Sequence, residues 1–161
     1  MEQARFAELL RKLASNQVEF VVVGMMAGVL RGAPVLTLDL DIVHRRTPDN
    51  VKRLLGVLSD LEATYRHDPR GLRPGESHLM SEGHQLLSTR LGDVDCLGAV
   101  GHGETYDDLL EHAPEISLGD ALRVRVIDMP TLIRLKEEAG RPKDLAALPV
   151  LRATLDESGR Q

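Results

Sequence analysis

Val18-Glu19-Phe20-Val21-Val22-Val23-Gly24, followed a short way on by Thr37-Leu38-Asp39-Leu40-Asp41-Ile42-Val43, decides how this chain is read. The first stretch is rich in β-branched residues and halts at Gly24, the pattern of a strand buried on both faces. Met25 to Arg31 reads as a short apolar turn or helix, broken by Gly32-Ala33-Pro34. The second stretch alternates. Leu38, Leu40 and Ile42 fall on one face of a strand, and Thr37, Asp39 and Asp41 on the other. Two ionised carboxylates on one face of an apolar strand repel each other, and burying them unpaired is costly. A divalent cation removes the conflict, and magnesium favours such hard oxygen ligands. The plainer alternative is a solvated strand end with both aspartates in water.

A third carboxylate, Asp95, lies in Gly92-Asp93-Val94-Asp95-Cys96-Leu97. If that strand runs beside the first acidic one, Asp95 faces Asp39 and Asp41. Asp93 shares its parity. Asp95 is favoured because Asp93 follows Gly92 at an expected hairpin turn, Leu91-Gly92-Asp93. Three carboxylates can hold two metal ions roughly 3.5–4 Å apart, the arrangement used for in-line phosphoryl or nucleotidyl transfer.

Outward from these strands, Phe6, Leu9, Leu10 and Leu13 predict a first helix ended near Asn16. Thr47-Pro48-Asp49-Asn50 opens a helix with an N-cap and a proline, and Val51, Leu54, Leu55, Leu58 and Leu61 form its stripe. Arg66 to Gly83 reads as a loop. His84 to Arg90 and Val94 to Leu97 read as strands, Tyr106 to His112 as a short helix, and Leu122 to Ile127 as a strand. Asp128-Met129-Pro130 caps a helix running to about Glu138 and stopped by Gly140. A last helix starts near Pro142, with Pro149 expected to kink or divide it. This order gives an α/β (α+β) fold with a mixed β-sheet flanked by helices.

The chain has 161 residues, 42% of them apolar, which suits one domain over 1–161. The formal net charge of -5 argues against holding nucleic acid by bulk positive charge. Aromatic residues, at 2%, are too few for a base-stacking platform. Cys96 is the one cysteine, so an internal disulfide is excluded and a thiolate zinc site disfavoured. No apolar run suits a membrane helix, and Met1 to Arg11 is amphipathic rather than a signal peptide. A cytoplasmic protein is expected. No P-loop motif and no zinc-binding histidine pair occurs.

Val21 to Ala27 with Gly24, followed by Gly32, Thr37, Asp39 and Asp41, resembles the polymerase-beta-type nucleotidyltransferase superfamily, which pairs a strand and glycine turn with an Asp-x-Asp strand. Asp95 matches its third aspartate, on a following strand. Asp128-Met129-Pro130-Thr131-Leu132-Ile133-Arg134-Leu135-Lys136, with Arg141-Pro142-Lys143-Asp144-Leu145, is similar to the end of the abortive-infection toxin-like nucleotidyltransferases. The resemblance implies a nucleotidyltransferase fold and a metal-dependent transfer of a nucleoside monophosphate from a nucleoside triphosphate. The acceptor is a hydroxyl of RNA such as a tRNA end, of a protein, or of a small molecule.

It also implies catalytic and metal-binding roles for Asp39, Asp41 and Asp95, two Mg2+ ions, and nucleotide contacts from Gly24, Met25, Thr37, Lys136 and Asp144. The residue-level alternatives are a solvated helix face for Lys136 and helix capping for Asp144. A cognate antitoxin or toxin partner is a further implication. The chain departs from the pattern at Met25, where active members carry glycine or serine, and at Val35 and Ala147. These departures leave a second reading, a catalytically degenerate nucleotide-binding or toxin–antitoxin interaction module. His44, Arg45 and Arg46 either meet phosphate or form a solvated basic loop.

Overall fold

The structure, a computed structural model, describes residues 2–159; Met1, Arg160 and Gln161, at the ends of the expected domain, lie outside the described residues. Seven strands form one mixed sheet: β1 (Phe20–Val23), β2 (Asp39–His44), β3 (Thr64–Tyr65), β4 (His84–Thr89), β5 (Gly92–Leu97), β6 (Glu115–Ser117) and β7 (Arg123–Val126). Their order across it is β3-β4-β5-β2-β1-β7-β6. β2 runs parallel to β5 and β1 parallel to β7, while the other neighbours are antiparallel. β1 is buried along its whole length, as a run of valines central in a sheet must be.

The helices follow their periodic and capping signals. In α1 (Glu2–Ser15) Phe6, Leu9, Leu10 and Leu13 all enter the core. α3 (Pro48–Asp60) starts at Thr47, whose hydroxyl accepts from the Asn50 amide at 3.3 Å. α6 (Met129–Ala139) starts at Asp128, whose carboxylate accepts from the Thr131 amide at 2.8 Å, and it ends on Gly140 at φ 64°. α2 (Gly24–Leu30) is the short apolar helix between β1 and β2.

Four expectations need correction. β2 begins at Asp39, not Thr37, and Leu38 is 65% exposed rather than inward. The ladder gives the reason: β1 stops opposite Asp41, and β5 reaches only to Asp39, so nothing pairs residue 38. The β4–β5 turn sits at Arg90-Leu91, with Thr89 paired to Gly92 and its hydroxyl bonded to both the Leu91 amide and the Gly92 carbonyl. Asp93 is therefore a ladder residue. The expected loop from Arg66 holds α4 (Glu76–Met80), and of the two outcomes expected at Pro149, a kink or a division, α7 (Pro142–Ser158) does not divide. α5 (Tyr106–Leu109) passes into a 3-10 turn, Leu110–His112.

Candidate active site

The parallel register of β2 and β5 sets Asp39 opposite Asp93 and Asp41 opposite Asp95. Directly paired residues project to the same side, so four carboxylates share one face. Leu40, Ile42, Val94 and Cys96 project to the other side and are buried. A one-residue slip would drive the acids into that core, so the register is strongly held. Farther along the acidic face Val43 and Leu97 are buried, which confines the acids to the N-terminal ends of both strands.

Asp41 is the most constrained of the four. Gly24, at φ +65°, presses its backbone against the Asp41 carboxylate, and a Cβ there would overlap Asp41 Oδ2. Asp41 Oδ1 is buried with no hydrogen-bond partner among the described residues. Burial first, and then the facing Asp95 and the charge of Asp39, raise the Asp41 carboxyl to about 7, with Lys136 opposing. Asp41 and Asp95 are close enough to share a hydrogen bond through a proton. Asp39 is exposed at the open edge.

Arg66, immediately after β3, lies over the β5 pair. Its Nη2 donates to Asp95 Oδ1 at 2.6 Å, and its Nη1 lies 3.4 Å from Asp93 Oδ2. Ser88 also donates to Asp93, at 3.0 Å.

The C-terminal helices close the other side. Lys136 Nζ donates to Asp144 Oδ1 at 3.2 Å, and Arg141 Nε donates to Asp144 Oδ2 at 2.7 Å. The Asp144 side chain is 0% exposed. Burial alone would push its carboxyl up; the bonds from Arg141 and Lys136 outweigh this and hold it below the ordinary value. A cavity of about 290 Å³ is bounded by Gly24, Asp41, His84, Lys136, Arg141 and Asp144, among others. Thus Gly24, Asp41, Lys136 and Asp144, far apart in sequence, meet around one space. Asp39 and Asp95 adjoin it through the ladder.

Two of the expected nucleotide contacts lie elsewhere. The Met25 side chain packs against the core and does not line the cavity, so its bulk leaves the space clear. Thr37 bonds the backbone of Asp39 at 3.3 Å and lines a separate hollow of about 670 Å³ with Phe6, Leu10, Met26 and Leu36. That larger hollow has no ionisable lining residue. His44, Arg45 and Arg46 stand at the opposite end of β2 from Asp39. There His44 bonds the Leu79 carbonyl, Arg45 pairs with Glu19 and Asp107, and Arg46 donates to the Met80 carbonyl. Cys96 is buried, and burial and the neighbouring Asp95 and Asp41 push its thiol up to about 12, so it is no nucleophile.

Sequence reasoning did not single out Arg66, and it read Arg141 only as part of the Arg141-Pro142-Lys143-Asp144-Leu145 stretch, with no role of its own. The signal for Arg66 was a charge count: two paired strands carry four aspartates and no cation, so a countercharge has to arrive from elsewhere.

Among the described residues no three His, Cys, Asp or Glu side chains converge into a ready metal cage. The donors nonetheless fit a hard cation. Asp41 Oδ1 is an orphaned buried oxygen, and Asp39 stands next to it on the same face.

No protein-family model matches the chain, and no curated protein matches it. The solved structures that share its fold include the following two. One, from Thermotoga maritima and described as a nucleotidyltransferase, is 18% identical with a TM-score of 0.57, covering 94% of this chain and 91% of its own. The other, the antibiotic-resistance factor ANT(2'')-Ia, is 14% identical with a TM-score of 0.60, covering 96% of this chain and 86% of its own. The seven-stranded mixed sheet and its flanking helices are the nucleotidyltransferase fold.

Proposed function

We propose that this chain is a magnesium-dependent nucleotidyltransferase, which takes a nucleoside triphosphate into the cavity beside Gly24 and moves its nucleoside monophosphate to an acceptor hydroxyl. The observation that carries the reading is Asp41: a buried carboxylate oxygen without a partner, beside a glycine that makes room for it, in a cavity edged by Lys136. The shared fold supports it.

Asp39 and Asp41 would hold the metal, which would supply positive charge against the triphosphate and the leaving pyrophosphate. Lys136 and Arg141 bring two positive charges to the cavity wall, and Asp144 fixes both side chains in place. A triphosphate entering there meets preorganised cations and displaces little water-exposed structure. Gly24 allows close backbone approach at the floor. The acceptor hydroxyl attacks the α-phosphorus, the bond from that phosphorus to the bridging oxygen of pyrophosphate breaks, and the hydroxyl proton passes to the carboxylate of Asp95. The acceptor is an RNA, a protein or a small molecule.

The test is pyrophosphate release and transfer of label from an α-labelled nucleoside triphosphate, with a panel of acceptors. Asp41→Ala should lower transfer by about a hundredfold or more. Equal turnover in the variant, or in excess chelator, would refute the reading. A second reading, nucleotide binding without turnover, is favoured by the ion pair that occupies Asp95. Binding of magnesium and nucleotide with no pyrophosphate released by any acceptor would select it.

A further inference from the structure

The four carboxylates are not equivalent, and the difference lies in Arg66. Its guanidinium is anchored from several sides. The Arg66 backbone amide donates to the Leu86 carbonyl at 2.9 Å, and Nη1 donates to the Leu87 carbonyl at 3.0 Å. The remaining fork spans Asp95 and Asp93. The side chains of Arg66 and Asp95 are only 16% and 14% exposed. An arginine keeps its charge at any working pH, and its planar fork matches carboxylate geometry. Moving it away would leave Asp95 without its countercharge and the Leu87 carbonyl without this donor. The β5 half of the acidic face thus already carries a cation of the chain itself, one positive charge set between two carboxylates.

The β2 half is not. Asp39 is exposed, and Asp41 Oδ1 has no partner among the described residues. An ion bridging to Asp95 would stand against the guanidinium, charge to like charge, on a carboxylate whose Oδ1 is already bonded at 2.6 Å. An ion on Asp39 and Asp41 meets no such obstacle.

We propose that the guanidinium of Arg66 stands in for the second cation, so that the acidic face takes one divalent ion, on Asp39 and Asp41, for each bound nucleoside triphosphate. This rests on the reading of the cavity as a magnesium–nucleotide site. It replaces the two-ion arrangement with one mobile ion and one fixed charge, and it makes Arg66 a positioning residue that holds the Asp95 carboxylate in place.

The experiment counts Mn2+ by the electron-paramagnetic-resonance signal of the free ion. The full chain is titrated with an equimolar nucleoside triphosphate analogue carrying a methylene between the α and β phosphates. The wild-type protein should bind one Mn2+ per chain, and Arg66→Lys, which keeps the charge, should also bind one. Arg66→Met, checked for native far-UV circular dichroism, should bind two. Two ions in the wild-type protein would overturn the proposal and leave the magnesium–nucleotide reading standing. A natively folded Arg66→Met that still binds one would overturn the role of Arg66. No Mn2+ bound by the wild-type chain with the analogue would overturn both. If Arg66→Met does not fold, the wild-type count decides alone.

Discussion

At Gly24 two separable constraints act on one residue. Its φ of +65° is costly for any side-chain-bearing residue, and a Cβ would in addition overlap Asp41. Gly32, at φ +102°, has the first constraint but nothing within 4 Å of where a Cβ would stand. Alanine at either position should cost about 1–2 kcal/mol of stability through backbone strain. Only Gly24→Ala should also displace the Asp41 carboxylate and weaken Mn2+ binding, by roughly tenfold or more. Urea denaturation and Mn2+ titration of both variants check this, and unchanged metal affinity in Gly24→Ala would contradict the contact. Asp41 itself leaves a pH signature. Its carboxyl is raised from 3.8 to about 7, so in the metal-free fold it holds a proton that the unfolded chain has already released. Stability from this group is complete below 3.8, falls as pH rises, and is gone above about 7. In chelator, the wild-type protein should lose urea midpoint across that interval relative to Asp41→Asn, which carries no such proton. Parallel pH profiles for the two would show that the shift is absent.

Among the elements, the entrance of β1 and the exit of β2 are tied by one buried side chain at the start of α3. Asn50 accepts from the Glu19 amide at 2.7 Å and donates to the carbonyls of Glu19, at 3.0 Å, and Arg45, at 2.8 Å. Asn50→Leu strips all three, and should cost about 3 kcal/mol, the toll of leaving buried backbone groups unpaired. Because Asn50 serves the end of β2 opposite Asp39, Mn2+ affinity should not change under conditions where the variant is folded. A drop in affinity would mean that the two ends of β2 are coupled. This tie was invisible in the sequence, where Asn50 reads only as part of a helix start. What was legible has a period or a cap: the stripe of α1, Thr47 and Asp128 as N-caps, Gly140 as a stop, and the parity that aligns Asp39 with Asp41. What was missed is too short to show a period, as in the two residues of β3, the three of β6 and the five of α4. Leu38 was misplaced because alternation persists beyond the last residue that has a strand to pair with. Arg66 could not be assigned because its partner Asp95 lies twenty-nine residues away, across a hairpin.

Across the whole molecule the cavity joins parts of the chain that are otherwise distant: the end of β1 with Gly24, Asp41 on β2, His84 and Leu97 on the β4–β5 hairpin, and the Lys136–Asp144 junction of α6 and α7. A ligand that fills it must bridge these parts, so binding should stabilise the fold as one unit. At a ligand concentration about a hundred times Kd, linkage adds about 2.7 kcal/mol. For a chain of this size that corresponds to a rise in Tm of roughly 5–10 °C. The rise should require magnesium and nucleotide together, since the net charge of -5 and the acidic face repel a bare triphosphate. Lys136→Met separates the two contributions. It removes a charge from the cavity wall while Arg141 keeps its bonds to Asp144, so the fold should survive and Mn2+ alone should still bind. The extra Tm increment given by nucleotide should shrink by at least half. A thermal-shift grid of wild type and Lys136→Met, each with metal, nucleotide, both and neither, reads every term. An undiminished nucleotide increment in Lys136→Met would place the triphosphate away from α6 and detach the C-terminal half of the cavity from its proposed role.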